Sequence, residues 1–225
     1  ILTVLNQAQK DTTAMHKLLK KPRNIYWYLP NIICYMRAML ILIPLATALT
    51  RPILTLVVCF VSVSLDVADG AVARYFNQVS HLGQALDYAI DRASLAVITT
   101  MLMILIPHYW WCFSLILILD LSSHIAHLYH TVYSQQTHHK VTSKKQNRLI
   151  RAYYSNRLVL FFACASHDLL LGAIYIDHFF HASWTIACMI IFIPGFVFKT
   201  IIHVLQIIES MQAAVANDCK SPIQL

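Results

Sequence analysis

The chain has 225 residues, 58% of them hydrophobic and only 12% charged, with a mean hydropathy of +0.60. A soluble domain carries roughly 25% charge, so an ordinary water-facing surface is excluded; the apolar content also excludes intrinsic disorder, and a multi-spanning membrane protein remains. On that reading the net charge of +7 belongs to basic loops beside anionic lipid, not to nucleic acid.

The first 25 residues are expected to form a cytosolic juxtamembrane segment of a single transmembrane domain covering 1–225. Within it, 11–21 (DTTAMHKLLKK) suits a short amphipathic helix on the membrane surface. No cleavable signal peptide is read, because the first long apolar run begins near Ile32. The start at Ile1 is consistent with a trimmed N-terminus.

Six spans follow in chain order. The first is Asn31–Leu49, opened by Pro30 and closed before Arg51 and Pro52. The second begins near Ile53. Its charge-free stretch ends at Leu65, so a full crossing must carry Asp66 and Asp69 in its last turns. The third starts near Gly83 or Asp87 and runs to Ile106, where Pro107 and His108 make a turn. The fourth is Tyr109–Tyr133, the fifth Leu158–Ile176 and the sixth Trp184–Ile208. Between the fourth and fifth, 134–147 reads as a polar loop.

Lys and Arg cluster before span one and between spans four and five, whereas the Pro107 and Asp177–His181 turns have none. That alternation puts both termini in the cytosol. The six Cys are dispersed without a CxxC pair and suit core packing.

The chain has only ten acids and four glycines. Four of those acids and two of those glycines fall within 66–91, DVADGAVARYFNQVSHLGQALDYAID. Asp66 and Asp69 are three apart, Asp87 and Asp91 four apart, so each pair shares a helix face. The segment 75–82 can turn the chain so that the two faces meet. Four converging carboxylates at a membrane repel one another and are costly to insert. Two divalent cations would balance them, and all-oxygen ligands suit Mg2+ or Mn2+. Such a pair suits phosphoryl transfer. The small residues Gly70, Ala73 and Gly83 let a phosphate-bearing ligand approach the backbone, and Arg74 can neutralise it.

At these residues the chain resembles the CDP-alcohol phosphotransferases, whose signature is D-x2-D-G-x2-A-R-x8-G-x3-D-x3-D. Asp66, Asp69, Gly70, Ala73, Arg74, Gly83, Asp87 and Asp91 fill every fixed position. YLPNIICYMR (28–37), DLSSHIAHLYH (120–130), RAYYSNR (151–157) and PGFVFKTII (194–202) look like segments of one branch, the eukaryotic-type phosphatidylinositol synthases.

The resemblance implies an all-α fold of six transmembrane helices, a homodimer, and a site at the cytosolic face of the endoplasmic reticulum membrane. The implied reaction passes a phosphatidyl group from CDP-diacylglycerol to myo-inositol and releases CMP. By the same resemblance Asp66, Asp69 and Asp87 bind metal, and Asp91 is the catalytic base and a further metal ligand. Asp69, Gly70, Ala73, Arg74 and Gly83 would hold the cytidine and diphosphate, with Asn31 and Arg37 as candidates for the diphosphate.

For the acceptor, Asp120, His124, Arg151, Tyr153, Tyr154, Arg157 and Lys199 are polar groups at or near the cytosolic ends of spans four to six. His124, His127 and His130 step by three, without an acid at ligand spacing, and suit packing; His138 and His139 suit a solvated loop. Asp168 lies mid-span and suits an interhelical or dimer-interface hydrogen bond. Two other readings stay open: a small cation transporter using the same acids, and a transferase whose acceptor is inositol phosphate, glycerol phosphate, choline or ethanolamine.

Overall fold

A computed structural model of the chain describes residues 24–136 and 147–219. The proposed surface helix at 11–21, the His138–His139 pair and most of the 134–147 loop lie outside the described residues. Among the described residues every regular element is helical. Six helices are long and apolar enough to cross a membrane, which makes this a multi-pass membrane architecture.

Helix α1 is Leu29–Thr47, two residues ahead of the expected start. Pro30 therefore sits inside the first turn, where its missing N–H leaves no intrahelical bond unmade. Helix α2, Pro52–Tyr75, carries Asp66 and Asp69 within its last turns, as expected, and extends far enough to include Arg74, which the count of loop charges places between the spans. It closes on two bonds: Gln78 N–H donates to Ala73 C=O at 2.9 Å, and Asn77 N–H to Arg74 C=O at 3.3 Å. Asn77 takes the left-handed conformation this cap requires, at φ 51°.

Helix α3, His81–Leu105, starts before the expected Gly83 because Ser80 caps it: Gly83 N–H donates to Ser80 Oγ at 3.0 Å. A 3-10 turn, Pro107–Tyr109, then leads into α4, Trp110–Gln136. A short helix absent from the sequence reading, α5, spans Arg148–Ser155. Asn147 caps its start, and Asn156 both ends α5 and caps the start of α6, Arg157–Phe180.

Helix α6 continues through the expected Asp177 turn and stops at His181, in the left-handed region at φ 45°. Helix α7, Ser183–Asp218, runs ten residues past the expected Ile208. After Gly195 nothing in its sequence breaks a helix, and 206–216 are mostly strong helix formers.

The chain packs as two units. The first comprises Ile1–Leu40 and Cys59–Ile90, the second Ile41–Val58 and Asp91–Leu225. In the second, α7 packs on α4, α5 and α6. One core there gathers Ala48, Leu95, Leu102, Phe113, Leu171 and Tyr175. Its polar Tyr175 hydroxyl donates to Ala48 C=O at 2.7 Å, so burial leaves the phenol satisfied. Another core packs α5 down through Ile150 and Tyr153 onto Ala163 and Ile202. Outward-facing side chains such as Phe60, Val63, Phe162 and Ile191 are exposed and apolar, the surface a bilayer would cover.

Candidate functional site

In the first unit the acids converge on one cation. Arg37, buried at 3% exposure, reaches Asp66 Oδ1 at 2.6 Å through Nη2. Its Nη1 reaches Asp87 Oδ1 at 2.8 Å and Asp69 Oδ2 at 3.1 Å. Asp69 is buried, while Asp66 and Asp87 stay partly open. Ligand oxygens of Asp66, Asp69 and Asp87 all lie within 4.8 Å of one another.

Three carboxylates around one guanidinium leave an excess of about two negative charges, and the donors are all hard oxygens. That set could hold a divalent cation. The sequence reading placed Arg37 on the diphosphate; the structure pairs it with the three carboxylates. Asp91 follows Asp87 one helical turn on along α3.

Beside the acids lies a cavity of about 190 Å³, lined among others by Asn31, Asp69, Gly70, Ala73, Arg74 and Gly83. All five residues assigned to cytidine and diphosphate are thus brought together, with Asn31. A space of that size takes a diphosphate or a base but not the acyl chains of a lipid. Arg74 folds back over Gly70, where an added Cβ would stand 3.4 Å from its Nη1.

Asn31 is wholly buried; its Nδ2 donates to Ile25 C=O at 2.7 Å. Its Oδ1 has no hydrogen-bond partner. A Cβ on Gly83 would lie 2.8 Å from that oxygen, so the glycine keeps the acceptor open. The remaining atom is an acceptor, which matches a donor on a ligand and not a phosphate oxygen.

The second unit holds a separate polar cluster. Asp120, with no exposed surface, pairs with Arg92 through Oδ2. Its Oδ1 faces His124 Nδ1 and His203 Nε2, each at 3.6 Å. The ligand atoms of Asp120, His124 and His203 also fall within 4.8 Å of one another. Arg92 already supplies the positive charge there, however. His124 Nδ1 already has close neighbours within the cluster, Asp120 C=O at 2.7 Å and Arg92 Nη1 at 3.2 Å.

Lys199 and Gln206 are buried on the same face of α7 as His203. Gln206 Nε2 donates to the Tyr154 hydroxyl at 2.6 Å. Tyr153, on α5, is buried beside Cys164 Sγ at 3.4 Å. Burial pushes both phenols above their ordinary value, so each is a neutral hydroxyl at physiological pH.

The structure therefore groups Asp120, His124 and Lys199, with Tyr154 attached through Gln206. Arg151 is exposed. Arg157 opens α6, but its side chain lies outside the described residues. His127 stacks on Tyr154 with ring centroids 5.7 Å apart, in keeping with packing.

Sequence reasoning missed Arg92, His203, Gln206 and Arg37's role as counter-ion. Arg92 was legible as the cation directly after Asp91; His203 and Gln206 were legible only as the i+4 and i+7 neighbours of Lys199.

No solved structure gives a significant match to the chain. Among proteins, it is 34% identical to CDP-diacylglycerol–inositol 3-phosphatidyltransferase of Candida albicans over 186 residues, 82% of this chain and 80% of that one. It is 33% identical to the protein of that name in Saccharomyces cerevisiae, over 96% of this chain and 95% of that one. For the Homo sapiens protein of that name the figures are 32%, 69% and 73%. The family model described as CDP-alcohol phosphatidyltransferase matches residues 27–212. That match runs through the acid pairs and reaches into all six apolar helices, and on that ground the chain belongs to the CDP-alcohol phosphatidyltransferase family.

Proposed function

We propose that the chain transfers a phosphatidyl group from CDP-diacylglycerol to myo-inositol, forming phosphatidylinositol and releasing CMP. The observation that carries this reading is the convergence of Asp66, Asp69 and Asp87 beside a cavity floored by small residues. The relatives' shared name supports the donor and the acceptor.

Asp66, Asp69 and Asp87 would hold Mg2+ or Mn2+, and two ions would balance the four acids including Asp91. When bound, such ions supply positive charge to the oxygens of the transferring phosphate. Arg74 and the small residues Gly70, Ala73 and Gly83 hold the diphosphate close to the helix backbone. Asn31 Oδ1, an acceptor, suits an amino or hydroxyl donor of the cytidine. Arg37 keeps the acids from repelling one another and leaves them preorganised.

Asp91 takes the proton of the attacking inositol hydroxyl. That hydroxyl oxygen forms a bond to the lipid-linked phosphorus, the phosphoanhydride P–O bond breaks, and CMP departs with the electron pair. Asp120, His124, Lys199, Tyr153, Tyr154, Arg151 and Arg157 are the candidates for the acceptor's hydroxyls. The working form is a homodimer in the endoplasmic reticulum membrane, with the acids facing the cytosol.

The test is purified protein in detergent, supplied with CDP-diacylglycerol and labelled inositol. Labelled phosphatidylinositol and CMP should form in equal amounts without a membrane gradient. EDTA should stop the reaction, and Mg2+ or Mn2+ should restore it. Asp91→Asn should lower kcat by about 10²–10⁴-fold, the range for losing a general base. Product formation that survives both chelation and Asp91→Asn would refute the reading. A cation transporter would instead show ion flux and no product.

A further inference from the structure

Two helices of the second unit face each other with rows of polar side chains. On α7 the buried Lys199, His203, Gln206 and Ser210 recur at spacings of four, three and four, which is one face of a mostly apolar helix. On α4, Asp120, His124 and His127 recur at four and three. The rows meet at two levels. At the inner level His203 Nε2 stands 3.6 Å from Asp120 Oδ1, and its ring centroid is 5.4 Å from that of His124. His167 of α6 is buried beside it, with centroids 6.1 Å apart. At the outer level Gln206 Nε2 donates to the Tyr154 hydroxyl at 2.6 Å, and the Tyr154 ring stacks on His127. Tyr154 and His127 are exposed, whereas Gln206, His203 and Asp120 are buried.

Both levels have hydrogen-bonding groups left over. Arg92 Nε and Asp120 Oδ1 at the inner level, and Gln206 Oε1 at the outer one, are buried without a hydrogen bond. Each is costly to leave alone. One is a donor and two are acceptors, so a polyol answers all three, whereas an anion answers only the donor. His203 and Gln206 are three residues apart, about 4.5 Å along the helix axis, the scale of one six-membered ring with its hydroxyls. A cyclic polyol therefore reaches both levels at once.

The outer level is matched to a single hydroxyl. The Tyr154 phenol accepts from Gln206 and keeps its own proton to give. A ligand hydroxyl there donates to Gln206 Oε1 and accepts from Tyr154. Turning the amide over would strand Nε2 in place of Oε1, and a hydroxyl answers that arrangement too. At the other end of the ring lies Arg92, the residue after Asp91 in the chain.

We propose that Gln206 is a specificity-determining residue: paired with Tyr154, it holds one hydroxyl of a cyclic polyol acceptor and so selects the ring by the configuration of that hydroxyl. This rests on the reading above that inositol is the acceptor.

The test measures kcat and KM for myo-inositol, scyllo-inositol and epi-inositol in detergent at saturating CDP-diacylglycerol. Wild type, Gln206→Leu and Tyr154→Phe are compared. Gln206→Leu should raise the myo-inositol KM about five- to tenfold, the range for one lost hydrogen bond. The CDP-diacylglycerol KM should stay near wild type, and kcat should change less than the inositol KM. The preference for myo-inositol over at least one epimer, as a ratio of kcat/KM values, should fall in the same variant.

Tyr154→Phe should raise the inositol KM about two- to fivefold, and the double variant should cost less than the product of the two single effects, because the pair acts as a unit. A bond that merely ties α5 to α7 would lower the unfolding temperature and kcat and leave the epimer ratios alone. The proposal is overturned if Gln206→Leu keeps the wild-type inositol KM, or raises it with every epimer ratio unchanged. Should Gln206→Leu fail to fold, Tyr154→Phe decides, and an unchanged inositol KM in that variant overturns the proposal. Wild type that makes no product from inositol would sink the functional reading itself; normal turnover by wild type with unmoved variants sinks this inference alone.

Discussion

At the scale of single residues, the first unit separates electrostatic from steric preparation. Arg37 holds three carboxylates together, and its buried position keeps that attraction from being screened. Gly83 does the steric part, because any side chain there enters the space of Asn31 Oδ1. Gly83→Val should therefore raise the KM for CDP-diacylglycerol by about tenfold or more, the effect of displacing a fixed ligand contact. The KM for inositol should move little, and an unchanged donor KM would show that the cavity beside Asn31 is not the nucleotide's. These acids and glycines were legible in the sequence because their spacing is regular on a helix. The pairing of Arg37 was not, since it lies 29 residues or more from its partners and no local period reports a contact of that range.

At the scale of elements, hydropathy located all six long helices but not their ends. Caps decided those: Ser80 moved the start of α3, and His181 moved the end of α6. Helix α5 escaped notice because it is short, only eight residues, and its apolar positions are broken up by Arg148 and Arg151. Its buried residues are Ile150 and Tyr153, three apart on one face. The contact between α6 and α7 is tight at one point. A Cβ on Gly195 would fall inside the van der Waals shell of Ser166 and 3.5 Å from Phe162 C=O. The Ser166 Cβ, fixed to its helix, cannot swing aside. Gly195→Ala should destabilise the protein by about 1–3 kcal/mol through overpacking, read as a lower unfolding temperature in detergent. Ser166→Gly in the same chain should return most of the loss; if it does not, the helices meet elsewhere.

At the scale of the whole molecule, an even number of spans returns the chain to the side on which it began. The distribution of Arg and Lys along the sequence predicts that this side is the cytosol. Epitope tags at the two ends of the chain should both be digested by protease added to sealed microsomes, while a tag in the Pro107–Tyr109 turn should be protected. Protection of either terminal tag would contradict the arrangement. The composition pointed to a multi-pass membrane chain at once, because a chain with 12% charge has few places to put its polar surface. What composition did not reveal was the buried polar cluster around Asp120. Its members come from α3, α4, α6 and α7, and no sequence period links residues on four different helices.

The turn between α2 and α3 gives the motif's spacing a mechanical meaning. Asn77 and Gln78 close one helix, Ser80 opens the next, and Gln78 Oε1 also accepts the Leu29 N–H at 2.9 Å. None of these residues is slack. Each residue along a helix advances the side-chain direction by about 100°, so the length of this turn acts as a phase setting between two rotating pointers. The eight unspecified positions between Arg74 and Gly83 are therefore free in identity but not in number. Their count determines whether Asp87 arrives facing Asp69 or a third of a revolution away.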